Sequence, residues 1–170
     1  MNYYLSQFGY HGPRNLLLLI LILISLSPVH SIYLYIYIIA WQLVNIIINV
    51  VIKNTFKSPR PDSYKNKNFK NLKPTIYNYF GIHRNYGMPS GHAQAVISSL
   101  TFILLYFKRP IINTIAIFQS GITLWQRYAT NRHYIKQLVV GGLIGIATGV
   151  CFYKMLPIII TSNSTVFTKH

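Results

Sequence analysis

The sequence predicts an all-α protein, an integral-membrane helical bundle of about five transmembrane helices. Three observations predict it. Hydrophobic residues make up 52 % of the 170 and mean hydropathy is +0.35, too apolar a balance for a soluble globule. Those residues fall in long blocks, the pattern of segments that face lipid. The 16 Lys and Arg residues, against a single acid, Asp62, lie mainly between the blocks.

The elements follow in order. Residues 1–15 form a short polar-aromatic lead. Leu16 to Val29 is a Leu/Ile run, short against the roughly 20 residues a spanning helix needs. It lacks a small-residue cleavage pattern and a second span follows directly, so it reads as retained rather than as a secretory leader. Pro28 and Ser31 bracket a turn. Ile32 to Ile52 is a full-length apolar segment; its β-branched content leans towards strand, but its length and lack of alternation favour helix, because lipid demands internally paired backbone. Residues 62–88 lie in the one long polar stretch, rich in Lys and Asn. Gly91 to Phe107, Ile111 to Trp125 and Ile135 to Ile160 are the third, fourth and fifth runs. Gly141, Gly145 and Gly149 recur every four residues on the last, a spacing that permits close helix contact. Cys151 falls in the same run and reads as a core residue. No internal repeat is present, and residues 1–170 read as a single domain.

Charge and composition narrow the chemistry. A net charge of +15 raises nucleic acid as a partner, but charge flanking apolar blocks fits anionic headgroups and phosphorylated lipids better. One carboxylate cannot supply paired-carboxylate hydrolysis or a Mg²⁺ or Ca²⁺ cage. One cysteine gives neither an internal disulfide nor a cysteine zinc site. No metal and no cofactor are expected.

Five spans impose a parity: the end of the second, the start of the third, the end of the fourth and the start of the fifth share one membrane face. Three polar constellations fall there. Residues 53–61 carry Lys53 and Arg60, an ammonium and a planar fork suited to phosphate oxygens, with Pro59 and Pro61 stiffening the backbone. Asn45, Asn49 and Lys53 share one helix face, and polar residues stacked in a span face the bundle interior. Residues 89–92, Pro-Ser-Gly-His, form a turn in which Ser90 suits a helix N-cap, Gly91 lets backbone approach a ligand, and His92 sits in the first turn, at the positive dipole end. Residues 127–137 hold Arg127, His133 and, four residues on, Gln137, whose oxygen can accept from one imidazole nitrogen and leave the other free. Each alone also reads blandly, as a basic flank, a helix cap or an interfacial histidine; their joint placement points to an oxyanion site.

In that order and spacing, Lys53-x₆-Arg60-Pro61, Pro89-Ser90-Gly91-His92 and Arg127-x₅-His133 resemble the type 2 phosphatidic acid phosphatase (PAP2) superfamily, which also includes vanadium haloperoxidases. The wording Tyr86-Gly-Met-Pro-Ser-x-His-x-Gln94, with Gln137 four after the second histidine, is similar to the dolichyl diphosphatase branch. Two departures stand out: Gln126 where the family has Ser, and Gln137 where it usually has Asp. The resemblance implies a PAP2/haloperoxidase-like core and a metal-independent lipid phosphatase. It implies that His133 is the nucleophile, that His92 is the general acid and base, and that Gln137 orients His133. Lys53, Arg60, Ser90, Gly91 and Arg127 would hold the phosphate. The implied substrate is a polyisoprenyl diphosphate; a phosphatidate or other lipid monophosphate is the near alternative, and a catalytically weak anionic-lipid binding protein the more distant one. Membrane lipids are the surroundings, nucleic acid is not an expected partner, and the oligomeric state is left open. A eukaryotic or viral-host setting implies an endoplasmic-reticulum-type membrane. Twelve of the 16 cations fall on the site face, which by the positive-inside rule puts it in the cytoplasm; the resemblance implies the lumenal or periplasmic face instead.

Overall fold

The structure, a computed structural model, describes residues 3–27, 32–61 and 86–167, with side chains to residue 157. Among the described residues six helices follow one another: α1 (Tyr3–Tyr10), α2 (Gly12–Ser25), α3 (Ile32–Phe56), α4 (Gly91–Tyr106), α5 (Pro110–Ala129) and α6 (Ile135–Phe167). Among the described residues the sole β feature is an isolated antiparallel bridge between Pro59 and Tyr86. The fold is all-α, as composition and run length predict. Most of the long polar stretch, 62–85, and the turn at 28–31 lie outside the described residues.

The five apolar runs each become a helix, but they are unequal. Ile32–Phe56 and Ile135–Pro157, 25 and 23 residues, are long and apolar enough to cross a membrane. The α1–α2 pair reaches that standard as a unit bent by 60°. The α4 helix has 16 residues, short of a full hydrocarbon thickness. The α5 helix is long enough at 20 residues, but its inner face is polar, with Gln119, Ser120, Thr123, Gln126 and Arg127 buried. Among the described residues, two helices pass as spans on their own by length and composition, and three if the bent α1–α2 pair counts as one.

The polar-aromatic lead is not a loose flank. It forms α1 and the first turn of α2, with Pro13 in that first turn, where a missing N–H costs nothing. Its glycines let it lie on α5: a Cβ at Gly9 would sit 2.8 Å from Gln126 Cβ. Gln119 Nε2 donates to Phe8 O at 3.2 Å, and Asn15 Nδ2 donates to Gln119 Oε1 at 3.3 Å. Gln119 on the polar face of α5 thus bonds to both α1 and α2, and Thr123 turns back to Gln119 O of its own helix.

The apolar core is aromatic. Trp41 of α3 lies 5.2 Å from Phe102 of α4 and 5.0 Å from Phe152 of α6 between ring centroids. Beside it, α6 presses against α4 through its glycine stripe. A Cβ at Gly141, Gly145 or Gly149 would stand 2.6, 2.6 or 2.7 Å from the carbonyl oxygens of Ser90, Gln94 and Ser98. The expected close contact is therefore present, and its partner is the helix that begins at Ser90. Many large apolar side chains face outward, including Ile36, Ile39, Leu43, Ile47 and Leu143, as expected of a surface solvated by lipid. Cys151 is exposed on that outer surface rather than in the core: lipid is as apolar as a core, so hydropathy alone does not separate the two positions.

Candidate active site

The site forms where four chain segments meet at one end of the bundle. Lys53 arrives in the last turn of α3 on the buried face it shares with Asn45 and Asn49. The helix then stops: Lys57 takes a left-handed conformation, φ 46°, and Pro59 cannot continue a ladder. The chain crosses to the segment before α4, where Gly87 N donates to Ser58 O at 2.7 Å. Ser90 caps α4 as the sequence predicts, with extended backbone and its hydroxyl accepting from Ala93 N at 3.4 Å. A hydroxyl that accepts in this way keeps its own hydrogen for donation. The α5 helix ends in a tight turn in which Asn131 is left-handed, φ 52°, a conformation asparagine tolerates. That reversal sets His133 at the mouth of α6.

His133 is the best-defined group. It is 4 % exposed. Its Nδ1 faces two acceptors, Gly87 O at 3.0 Å and Gln137 Oε1 at 3.2 Å. Two acceptors on one ring nitrogen require that nitrogen to carry the proton, so Nε2 presents a lone pair. Arg60 Nη1 lies 3.3 Å from Nε2 and also donates to Arg132 O at 3.1 Å. Burial and the Arg60, Lys53 and Arg127 charges push His133 down to about 2, against the upward pull of its hydrogen bond to Gln137. Without a bound anion the imidazole is therefore neutral at physiological pH.

Gln137 has a larger role than orienting a ring. Its Nε2 donates to Pro59 O at 2.7 Å and lies 3.4 Å from Ser58 Oγ, which fixes that end as the amide nitrogen. Its Oε1 accepts from Tyr134 N at 3.3 Å as well as from His133. A glutamine three residues after the N-cap that reaches back to the cap N–H is half of a capping box. One amide thus starts α6, fixes the tautomer of His133 and ties the Arg60 segment to both. Aspartate could accept in the same places but could not donate to Pro59 O.

The remaining sequence-predicted residues come to the same end. The charges of Arg127, His133, Lys53 and Arg132 all act on His92. Arg127 is buried in the last turn of α5. Gly91 stands against Asn49, whose Oδ1 would lie 3.1 Å from a Cβ at that position; its lack of a side chain serves helix packing as well as any ligand.

Three further residues receive a role only from the structure, although Gly87 and Gln94 already belong to the Tyr86–Gln94 motif. Gln94 lies below the site, where Asn49 Nδ2 donates to its Oε1 at 2.8 Å and its own Nε2 donates to Asn45 O at 3.0 Å. Asn45 donates on to Ser98 Oγ at 3.0 Å, and Ser98 meets Thr148 Oγ1 at 2.9 Å. This chain of amides and hydroxyls ties α3, α4 and α6 together beneath the site, and only its asparagine face was legible beforehand. Gly87 enters through its carbonyl, which any residue would offer. Tyr10 enters from α1: its ring centroid is 5.5 Å from that of His92, and Arg127 Cζ lies 4.9 Å above its ring. A lone tyrosine in an aromatic lead gives no local signal of that position.

Comparison with known proteins decides the family. The PAP2 superfamily model matches residues 31–160. The chain belongs to the PAP2 superfamily. The match takes in α3, α4, α5, α6 as far as residue 160 and every residue expected at the site, while α1 and α2 lie outside it. A dolichyldiphosphatase of Saccharomyces cerevisiae is 31 % identical over 128 residues, 69 % of this chain and 50 % of the relative. The chain thus spans about half the length of that relative. No solved structure matches at a significant level.

Proposed function

We propose that this PAP2-superfamily chain is a membrane lipid phosphatase that hydrolyses a polyisoprenyl diphosphate through a phosphohistidine intermediate, without a metal. The observation that carries the reading is the wiring of His133: a protonated Nδ1, a lone pair on Nε2, and cations around that lone pair. That is the state a nitrogen nucleophile needs. The family membership supports phosphatase chemistry, and the similarity to a dolichyldiphosphatase supports the substrate class and an endoplasmic-reticulum-type membrane.

His133 Nε2 attacks the terminal phosphorus, forming a P–N bond as the bridging P–O bond breaks. Burial and the surrounding cations disfavour a charged His92 in the empty site; the negative charge of the bound diphosphate offsets them, so His92 takes up a proton from solvent and gives it to the departing lipid monophosphate. His92 then takes a proton from water, whose oxygen attacks phosphorus; the P–N bond breaks and inorganic phosphate leaves. Lys53, Arg60, Arg127, the Ser90 hydroxyl and the Gly91 N–H hold the equatorial oxygens as charge builds, a contribution commonly worth about 3 kcal/mol for one well-placed donor.

The test is phosphate release by the purified protein in EDTA, with a polyisoprenyl diphosphate and phosphatidate assayed side by side. Release from the diphosphate is expected, with inhibition by vanadate. His133→Ala abolishes release and His92→Ala cuts it by about 100-fold or more. Full activity in His133→Ala overturns the reading. Preference for phosphatidate moves the substrate but keeps the chemistry. Lipid binding with no turnover replaces the enzyme with a binding protein.

A further inference from the structure

We infer that Tyr10, on a helix outside the family-matched region, is a positioning residue for this site, setting the general acid His92 and the phosphate-binding Arg127 at once. The inference rests on the phosphatase reading above and adds a residue to it.

Three observations carry it. The Tyr10 and His92 rings lie 5.5 Å apart with their planes inclined by 40°, within the range of favourable aromatic pairing. Arg127 Cζ stands 4.9 Å from the Tyr10 centroid and Arg132 Cζ 5.9 Å, both within cation–π distance. Tyr10 is the last residue of α1, and α1 is held on α5 independently of that ring. Gln119 donates to Phe8 O, Gln126 Nε2 reaches Ser6 Oγ at 3.4 Å, and Gly9 packs on Gln126.

The choice of side chain has a physical reason. Lys53, Arg60, Arg127 and Arg132 repel one another before an anion arrives. A carboxylate set among them would hold the guanidiniums in place, but it would compete with the incoming phosphate and repel it. An aromatic face attracts a guanidinium through its quadrupole and carries no net charge. It can steady Arg127 in the empty site and release its full charge to the substrate. The same ring packs on His92, so the proton donor and one oxyanion clamp share a single wall.

The experiment uses the full chain in detergent, with farnesyl diphosphate as substrate and vanadate as a probe of the oxyanion site. In Tyr10→Leu, kcat is expected to fall about 5-fold and vanadate inhibition to weaken by a similar factor, on the scale of a cation–π contact between a buried guanidinium and a part-exposed ring. KM for the lipid should move less. Tyr10→Phe restores most of the turnover and of the vanadate affinity, because it restores the ring. Unchanged kcat and vanadate inhibition in Tyr10→Leu overturn the inference. So does a Tyr10→Phe variant as impaired as Tyr10→Leu, which would assign the effect to the hydroxyl. If Tyr10→Leu loses its cooperative melting transition, Tyr10→Trp decides: retained turnover supports the role of the ring, and lost turnover overturns it. His133→Ala separates the two levels. A dead His133→Ala beside a fully active Tyr10→Leu removes only Tyr10; an active His133→Ala removes the site and this inference with it.

Discussion

A buried glutamine beside a histidine changes what that histidine can be. An aspartate at position 137 would favour the imidazolium; the amide accepts from Nδ1–H without adding charge, so His133 keeps its lone pair among three cations. The amide nitrogen is equally committed, to Pro59 O at 2.7 Å. Both ends of the side chain are therefore in use, and shape alone cannot replace it. Gln137→Glu is expected to lower kcat by about 10-fold or more through two effects: loss of the donor to Pro59, and a buried carboxylate that draws Arg60 and protonates His133. Gln137→Leu leaves Pro59 O and His133 Nδ1–H each one partner short, and should cost about 1–3 kcal/mol of stability as well as rate. Steady-state kinetics and thermal melting of the two variants check this. A Gln137→Glu enzyme as fast as the parent would show that the amide is incidental.

At the scale of elements, the α4–α6 contact sets the site, because Ser90 caps α4 and the α6 glycine stripe runs along that helix from its cap. Gly145→Ala places a methyl 2.6 Å from Gln94 O and 3.0 Å from Ser98 N, both backbone atoms that cannot turn aside. Overpacking of that kind costs about 1–3 kcal/mol and should also reduce phosphate release, by tilting the helix that carries His92. Gly142 is the control, since a Cβ there meets only Ile97 Cγ1 at 3.8 Å. Gly142→Ala should be neutral or more stable by up to about 1 kcal/mol, from reduced backbone freedom. Melting temperatures of the pair test the contact; equal behaviour would mean that the two helices do not depend on the stripe. This stripe was legible in sequence because it is periodic, and so were Asn45, Asn49 and Lys53. The lead was not. Residues 3–15 carry no long apolar run, so hydropathy leaves them as a flank, and α1 is fixed by α5 polar groups that no local pattern reveals. The α5 helix was read as a fourth span by length, while the glutamines on its inner face record that it packs against α1 as much as it faces lipid.

Across the whole molecule, the order of the three motifs specified which segments meet, and helix parity specified at which end. What sequence could not give was the cost of bringing them together. Lys53, Arg60 and Arg127 all act on a buried His133 and hold it neutral, so the folded empty site binds fewer protons than an opened chain whose histidine titrates near 6.5. The sign follows from linkage: with the folded value depressed to about 2, stability is complete above pH of about 6.5 and falls as pH drops below it, by about 1.4 kcal/mol per pH unit for this one group. Between pH 6.5 and 5 that is about 2 kcal/mol, or roughly 4–8 °C in Tm for a chain of this size. His133→Gln, which cannot take a proton, should lower the steepness by about one proton. Saturating inorganic phosphate should act oppositely to acid. Its charge offsets the cations, brings His133 back towards its ordinary value, and ties the ends of α3 and α5 to the starts of α4 and α6. Melting curves from pH 5 to 8, with phosphate and with chloride at matched ionic strength, separate these effects. A steep acid slope that phosphate flattens, and that His133→Gln removes in part, is the expected result. A slope identical in all three conditions would mean that the cations and His133 do not form one electrostatic unit.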